Sequence, residues 1–288
     1  MMWQPLLFVL AVLLSLGGCS ERAPVIPPIA GTVWQPDNAT LAPEGKWQQI
    51  GATELLVQWA AVDGTAFIPN GTMPTVSPLP PWQRIATEPW ARTVILGLAG
   101  RFDENAARAD VAGLLETSLV LAAQPTPLKV AGWYFPVEID PTWAEAPALG
   151  PLLARLPRPL WISIYDRANV GPEVMAAGLK PWLPHDVGLF FQDGVGVHAR
   201  EAKVARHYAD VLSKQFGKQR VRIIAEAFRP KEGGGFRSAT IDELAPQLAS
   251  YQGYSIYLFD GPHYLDDALV AQIAARQAGA AARVRANQ

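Results

Sequence analysis

The sequence predicts an α/β fold, a single-domain (β/α)8 barrel of the TIM type. Three observations carry this expectation. Short runs rich in Val, Ile, Leu and aromatic residues recur eight times along the chain. Longer Ala- and Leu-rich stretches with charged residues at helical spacing separate most of them. No G-x-G-x-x-G or phosphate-binding loop follows any run, which removes the usual reason to choose an open, doubly wound sheet. Near-continuous apolar strands alternating with helices form a parallel sheet covered on its outside. Eight such units close into a barrel whose working residues lie at the C-terminal ends of the strands. The chain of 288 residues, half of them hydrophobic, is long enough for one large core.

The elements follow in order from the N-terminus. Leu6 to Leu16 is an apolar run of export-signal length, too short for a typical spanning helix. It ends in Leu16-Gly17-Gly18-Cys19, which resembles the bacterial lipoprotein signal. That resemblance implies that residues 1–18 are removed and that Cys19 is lipidated, which would tie the protein to a membrane. One departure is the start, Met1-Met2-Trp3-Gln4-Pro5, which has no Lys or Arg; an ordinary signal peptide with Cys19 incidental is the alternative. Ser20, where Asp would retain such a protein, implies the periplasmic face of the outer membrane by the same resemblance. Residues 19–30 include Ala23-Pro24-Val25-Ile26-Pro27-Pro28 and read as a stiff tether, leaving 31–288 for the barrel. Cys19 is the chain's one cysteine, so the mature domain has no disulfide and depends on its core.

The eight strand candidates are residues 31–36, 53–59, 92–100, 128–139, 159–166, 187–194, 220–228 and 254–262. Helices are expected over Glu104 to Ala122, Ala199 to Phe216, Thr240 to Ser250 with a capping box at Thr240 and Glu243, and Leu265 to about Arg285. The Pro- and Gly-rich segment from Ile68 to Pro81 is a long loop after the second strand, of a length that is often functional.

Composition narrows the function. The net charge is −2, charged residues are 17%, and no basic run occurs, so nucleic acid is excluded as a partner. The four histidines, His185, His198, His207 and His263, show no H-x-H or H-E-x-x-H spacing, so neither a zinc site nor any other metal or cofactor is expected. The absence of G-x-S-x-G argues against a serine esterase.

Two carboxylates stand out. Glu138 closes the fourth strand, in GWYFPVEID, and Glu226 closes the seventh, in RVRIIAEAF. They are 88 residues apart in sequence, yet the barrel brings both to one mouth. A buried carboxylate is costly unless paired or neutralised. Two at one mouth suit glycosidic cleavage, where one gives a proton to the leaving oxygen and the other attacks carbon or activates water. Alternatively each Glu pairs with an arginine such as Arg101, Arg167 or Arg229 and holds loops. At the rim, Trp34, Gln58 and Trp59 offer flat apolar faces and an amide for a sugar, although either Trp is equally suited to core packing. Tyr134, Asp166, Gln192, Asp193 and His263 are further candidates for substrate contact. Asp193-Gly194 is also a turn signal, and Asp166 also suits a capping role.

The placement of Glu138 and Glu226 resembles that of the retaining TIM-barrel glycoside hydrolases. The resemblance implies that Glu138 is the acid/base and Glu226 the nucleophile. Val137 stands where that clan usually has Asn, which weakens the contact to the sugar 2-hydroxyl that the resemblance implies. The blocks GTVWQP, GWYFPVEID, GLFFQDGVGV, IIAEAF and YLFDGPHY together resemble the family catalogued as domain of unknown function 4434, over almost the whole mature chain. That resemblance implies a glycosidase-like barrel of the bacterial surface or envelope acting on a glycan. A barrel that binds a polysaccharide or an envelope assembly partner without cleaving it remains the alternative, and a structural envelope lipoprotein is a third.

Overall fold

The structure, a computed structural model, describes residues 24–286; Cys19 and the expected signal peptide lie outside them. Eight parallel strands close into a barrel: β1 (Gly31–Trp34), β2 (Glu54–Val57), β3 (Thr93–Gly97), β4 (Val130–Ile139), β5 (Leu160–Ile164), β6 (Val187–Gln192), β7 (Val221–Glu226) and β8 (Ser255–Phe259). Each strand pairs with its sequence neighbours. The ring closes between β1 and β8, where Thr32 stands beside Leu258. The expected α/β barrel is therefore the observed fold.

Alternation along the strands decides what faces inward. The barrel is filled by one side chain from each strand: Val33, Leu56, Ile95, Tyr134, Trp161, Phe190, Ile224 and Tyr257. Phe190 sits at the centre, with its ring centroid 5.0 Å from Tyr257, 5.2 Å from Trp161 and 6.0 Å from Tyr134. This layer is a packed floor rather than a pore. Two residues further along, the same parity brings Gln58, Pro136, Ser163, Gln192, Glu226 and Phe259 inward above it. In β4 the pairing with β5 shifts register between Phe135 and Ile139, and Glu138 lies in that shift.

Residues of the other parity face the outer core, against helices Val111–Ala122, Pro172–Leu179, Ala202–Phe216, Ile241–Ser250 and Asp267–Ala286. Thr240 accepts from the Glu243 backbone N–H and Glu243 accepts from the Thr240 N–H, so the expected capping box forms. The single helix expected over 104–122 is two, Glu104–Ala109 and Val111–Ala122, broken at Asp110, whose carboxylate is taken by Arg101. Between β1 and β2 a one-turn 3-10 helix, Trp47–Ile50, replaces a full α-helix and packs on the C-terminal helix.

The described part of the expected tether is not free. Ile26, Pro27 and Ile29 are buried at the N-terminal end of the barrel. Gln277 Nε2 donates to the Pro27 carbonyl at 2.9 Å, and the Ile29 N–H donates to the Ile50 carbonyl at 3.0 Å. Apolar Ile-Pro-Pro-Ile gains more from burial there than from standing in water.

Candidate active site at the barrel mouth

Glu138 and Glu226 both end strands at the C-terminal mouth, three places apart around the ring. Glu138 lines a cavity of about 60 Å³ with Glu104, Gln58, Tyr134, Ser163 and Gln192. Gln192 Nε2 donates to Glu138 Oε2 at 2.6 Å. Arg108 holds the Glu138 carbonyl from Nε at 3.2 Å and Nη2 at 3.1 Å, while the same Nη2 stays 4.0 Å from the carboxylate. The guanidinium thus fixes the backbone more than it neutralises the acid. Glu104, the first residue of its helix, accepts from the Glu138 N–H at 3.2 Å. Burial, and then the neighbouring Glu104, push Glu138 up to about 7. It is poised to hold a proton near neutrality, as a general acid must.

Glu226 is 7% exposed. Its Oε2 accepts from the Val197 N–H at 3.0 Å. Gly196 makes that approach possible, because a Cβ there would lie 2.5 Å from Glu226 Cβ and 2.8 Å from the Phe228 carbonyl oxygen. Burial and the adjacent Asp193 push Glu226 up to about 8. Neither carboxylate is locked in a close ion pair with arginine among the described residues: Arg101 is engaged with Asp110, and Arg229 donates to backbone carbonyls and to Gln247.

Parity sorts the remaining candidates. Gln58 and Gln192 face the cavity as expected, and Tyr134 forms part of its floor, its hydroxyl against Ser163. Four others are corrected because they point outward from the barrel and are closed off. Trp34 is fully buried, its ring centroid 5.4 Å from that of Trp82. Trp59 is buried and donates to the Pro36 carbonyl at 3.0 Å. Asp166 accepts from the Val170 and Gly171 N–H groups at 3.1 and 3.0 Å and from the Tyr208 hydroxyl at 2.7 Å, which fixes the loop after β5. Asp193 accepts from Gln247 Nε2 at 2.6 Å, the Tyr251 hydroxyl at 2.8 Å, and the Val195 and Glu226 N–H groups, each at 3.2 Å. With every partner donating, Asp193 positions Glu226 and is out of a sugar's reach. His263 is corrected for a different reason. Its Nδ1 is 2.9 Å from Asp260 and its Nε2 3.1 Å from Asp37, so both ring nitrogens are taken. Those carboxylates push it up to about 9 and make it an ionic clasp between the loops after β1 and β8.

Sequence reasoning missed three contributors. Tyr165 follows β5 with inward parity, and Glu226 and Glu138 together help raise its hydroxyl, behind burial. Parity alone would have found it. Arg200 donates to the Asp193 carbonyl at 3.0 Å, donates to the Asp166 carbonyl, and lies 5.2 Å from the Tyr165 ring centroid. Glu104 comes from a helix, where strand parity gives no signal.

No family model matches the chain, and no curated protein matches it. Among solved structures, the chain is similar to the 1.80 Å crystal structure of a candidate alpha-L-fucosidase from Bacteroides thetaiotaomicron VPI-5482. The TM-score is 0.60 over 95% of this chain and 98% of that one, at 14% identity. The two chains share a fold. The likeness covers nearly the whole chain and, at this identity, is one of fold alone.

Proposed function

We propose that the protein is a glycoside hydrolase-like barrel acting on a glycan, a member of the domain of unknown function 4434 family. We also propose that it is lipidated at Cys19 and held at the periplasmic face of the bacterial outer membrane. The observation that carries the catalytic reading is Glu138. It is a carboxyl buried at the mouth, with Arg108 4.0 Å away, held by Gln192, pushed up to about 7, and accompanied by a second carboxyl, Glu226, on the same mouth. In the retaining mechanism Glu138 passes its proton to the glycosidic oxygen as the C–O bond breaks. The Glu226 carboxylate attacks the anomeric carbon and forms a glycosyl ester. Water then cleaves that ester, with Glu138 taking the water's proton. The cavity of about 60 Å³ has room for about two waters, at about 30 Å³ each, so a sugar ring sits above it, with Glu138 in the cavity lining and Glu226 beyond it on the same mouth.

A second reading, a non-catalytic glycan-binding barrel, is favoured by the state of Glu226. Burial and Asp193 push it up to about 8, so near neutrality it holds a proton that a nucleophile must first lose. One experiment separates the two. Wild type and Glu226→Gln are assayed on a panel of aryl glycosides, with aryl α-L-fucoside included, and on envelope polysaccharides. Turnover that the variant loses supports the hydrolase. Binding in both proteins with turnover in neither supports the binding module.

A further inference from the structure

Two exposed aromatic rings stand on loops at the C-terminal ends of the strands. Among the described residues, Phe102 and Phe236 are the phenylalanines whose side chains stand in water, 61% and 45% exposed. Phe102 lies in the loop after β3, and Phe236 lies in a hairpin after β7 formed by Phe228–Pro230 and Phe236–Ser238. In a closed ring of eight strands, β3 and β7 are diametrically opposite. Both rings are seated on buried aromatics, and those beneath Phe236 lead back to the Glu138 cavity. The Phe236 centroid is 4.6 Å from that of Phe228, which is 6.2 Å from that of Phe259, a wall of the cavity. The Phe102 centroid is 5.3 Å from that of Trp59, whose neighbour Gln58 is another wall.

We propose that Phe102 and Phe236 are stacking platforms at the two ends of a path across the mouth, and that the occupant is a glycan chain with sugar units on both sides of the cavity. The inference rests on the glycan reading above and extends it to internal, rather than terminal, sugar units. Each pyranose has an apolar C–H face that packs on an aromatic ring. A free aromatic ring supported from behind by another keeps that face available without having to be ordered first. Two platforms on opposite rims suit a chain passing over the cavity; a pocket for one terminal sugar would need one closed wall.

The test uses the full domain carrying Glu226→Gln, so that bound chains are not cleaved. The protein is run through native gels cast with soluble β-1,3-glucan, β-1,4-xylan, galactomannan or partly deacetylated poly-N-acetylglucosamine. In the gel that retards the parent, Phe102→Ala and Phe236→Ala are each expected to weaken binding about three- to tenfold. Val204→Ala, an exposed apolar residue on an outer helix, is expected to leave it unchanged. Thermal melts confirm that the variants are folded. Retardation that survives in both Phe variants overturns the platforms and leaves the glycan reading standing. No retardation in any gel, alongside turnover of an aryl glycoside by wild type, also overturns the platforms alone. No retardation and no turnover overturn both.

Discussion

Replacing Glu138 with Gln should make the protein more stable, and only at neutral and alkaline pH. Glu138 is raised from 4.5 to about 7, chiefly by burial. At about 1.4 kcal/mol per unit, this difference corresponds to about 3 kcal/mol. The sign follows from the direction of the shift. Below about 4.5 the carboxyl is protonated in both folded and unfolded chains and costs nothing extra. As pH rises toward 7 the unfolded chain releases the proton while the folded chain keeps it, so stability falls until the folded group also ionises. The amide that replaces the carboxyl cannot ionise, and its oxygen can still accept from Gln192 Nε2, which lies 2.6 Å from the present carboxylate. Urea denaturation of both proteins at pH 4.5, 6 and 8 should show Glu138→Gln gaining up to about 3 kcal/mol at pH 8 and little at pH 4.5. An advantage of equal size at all three values would refute the argument, because it would mean that the carboxyl is not the titrating cost. A group that destabilises the fold at working pH and is nevertheless present is what a functional site leads one to expect.

Four further outcomes follow from the same geometry. Gly196→Ala places a Cβ 2.5 Å from Glu226 Cβ and should cost about 1–3 kcal/mol while pulling the Val197 N–H off the carboxylate; a melt within error of wild type would contradict it. Asp193→Asn turns an amide NH2 toward donors and should destabilise by about 3 kcal/mol, while the lost charge lets Glu226 ionise at lower pH; denaturation and carboxyl infrared titration read the two effects separately. His263 should titrate near 9 by NMR, and Asp37→Asn should lower that midpoint. Its raised value means that the clasp contributes fully below about 6.5 and is lost as pH rises through about 9, and a wild-type midpoint near 6.5 would refute the clasp. If the hydrolase reading holds, the pH–rate profile should be a bell with its maximum between about 7 and 8, since Glu138 must be protonated and Glu226 ionised; a maximum near pH 5 would refute those assignments.

The barrel was legible because its signal is global. Eight apolar runs survive an error of a few residues at each boundary, and the observed strands all fall inside the expected ones. The two carboxylates were legible for the same reason, since a strand's C-terminal end is a place that sequence order defines. What sequence reading lost was the side of the strand. Trp34, Trp59, Asp166 and Asp193 lie at or just beyond strand ends, as expected, but one residue out of step with the inward set. Counting in twos from Val33, Leu56, Trp161 and Phe190 would have excluded all four and picked out Tyr165. The count holds in β4 as well, where Tyr134, Pro136 and Glu138 all line the cavity, because the register shift before Ile139 adds two residues and keeps the parity. Glu104 and Arg108 were beyond such counting, because a helix outside the ring delivers them. His263 was misjudged because its partner Asp37 lies 226 residues away in sequence, a distance over which spacing carries no information.

The way the chain enters the domain sets the direction in which the domain looks. Ile26 and Ile29 are buried where the chain feeds the N-terminal end of β1, and the Glu138 cavity opens at the other end of the same strands. Whatever precedes residue 24 therefore joins the domain at its back. If that leading segment is fastened to a surface, the barrel axis stands away from it, the mouth faces outward, and the 24–30 segment, clamped by Gln277, limits how far the domain can swivel. A chain lying flat on the attaching surface would be out of its reach, whereas one extended into the space beyond would be met head-on.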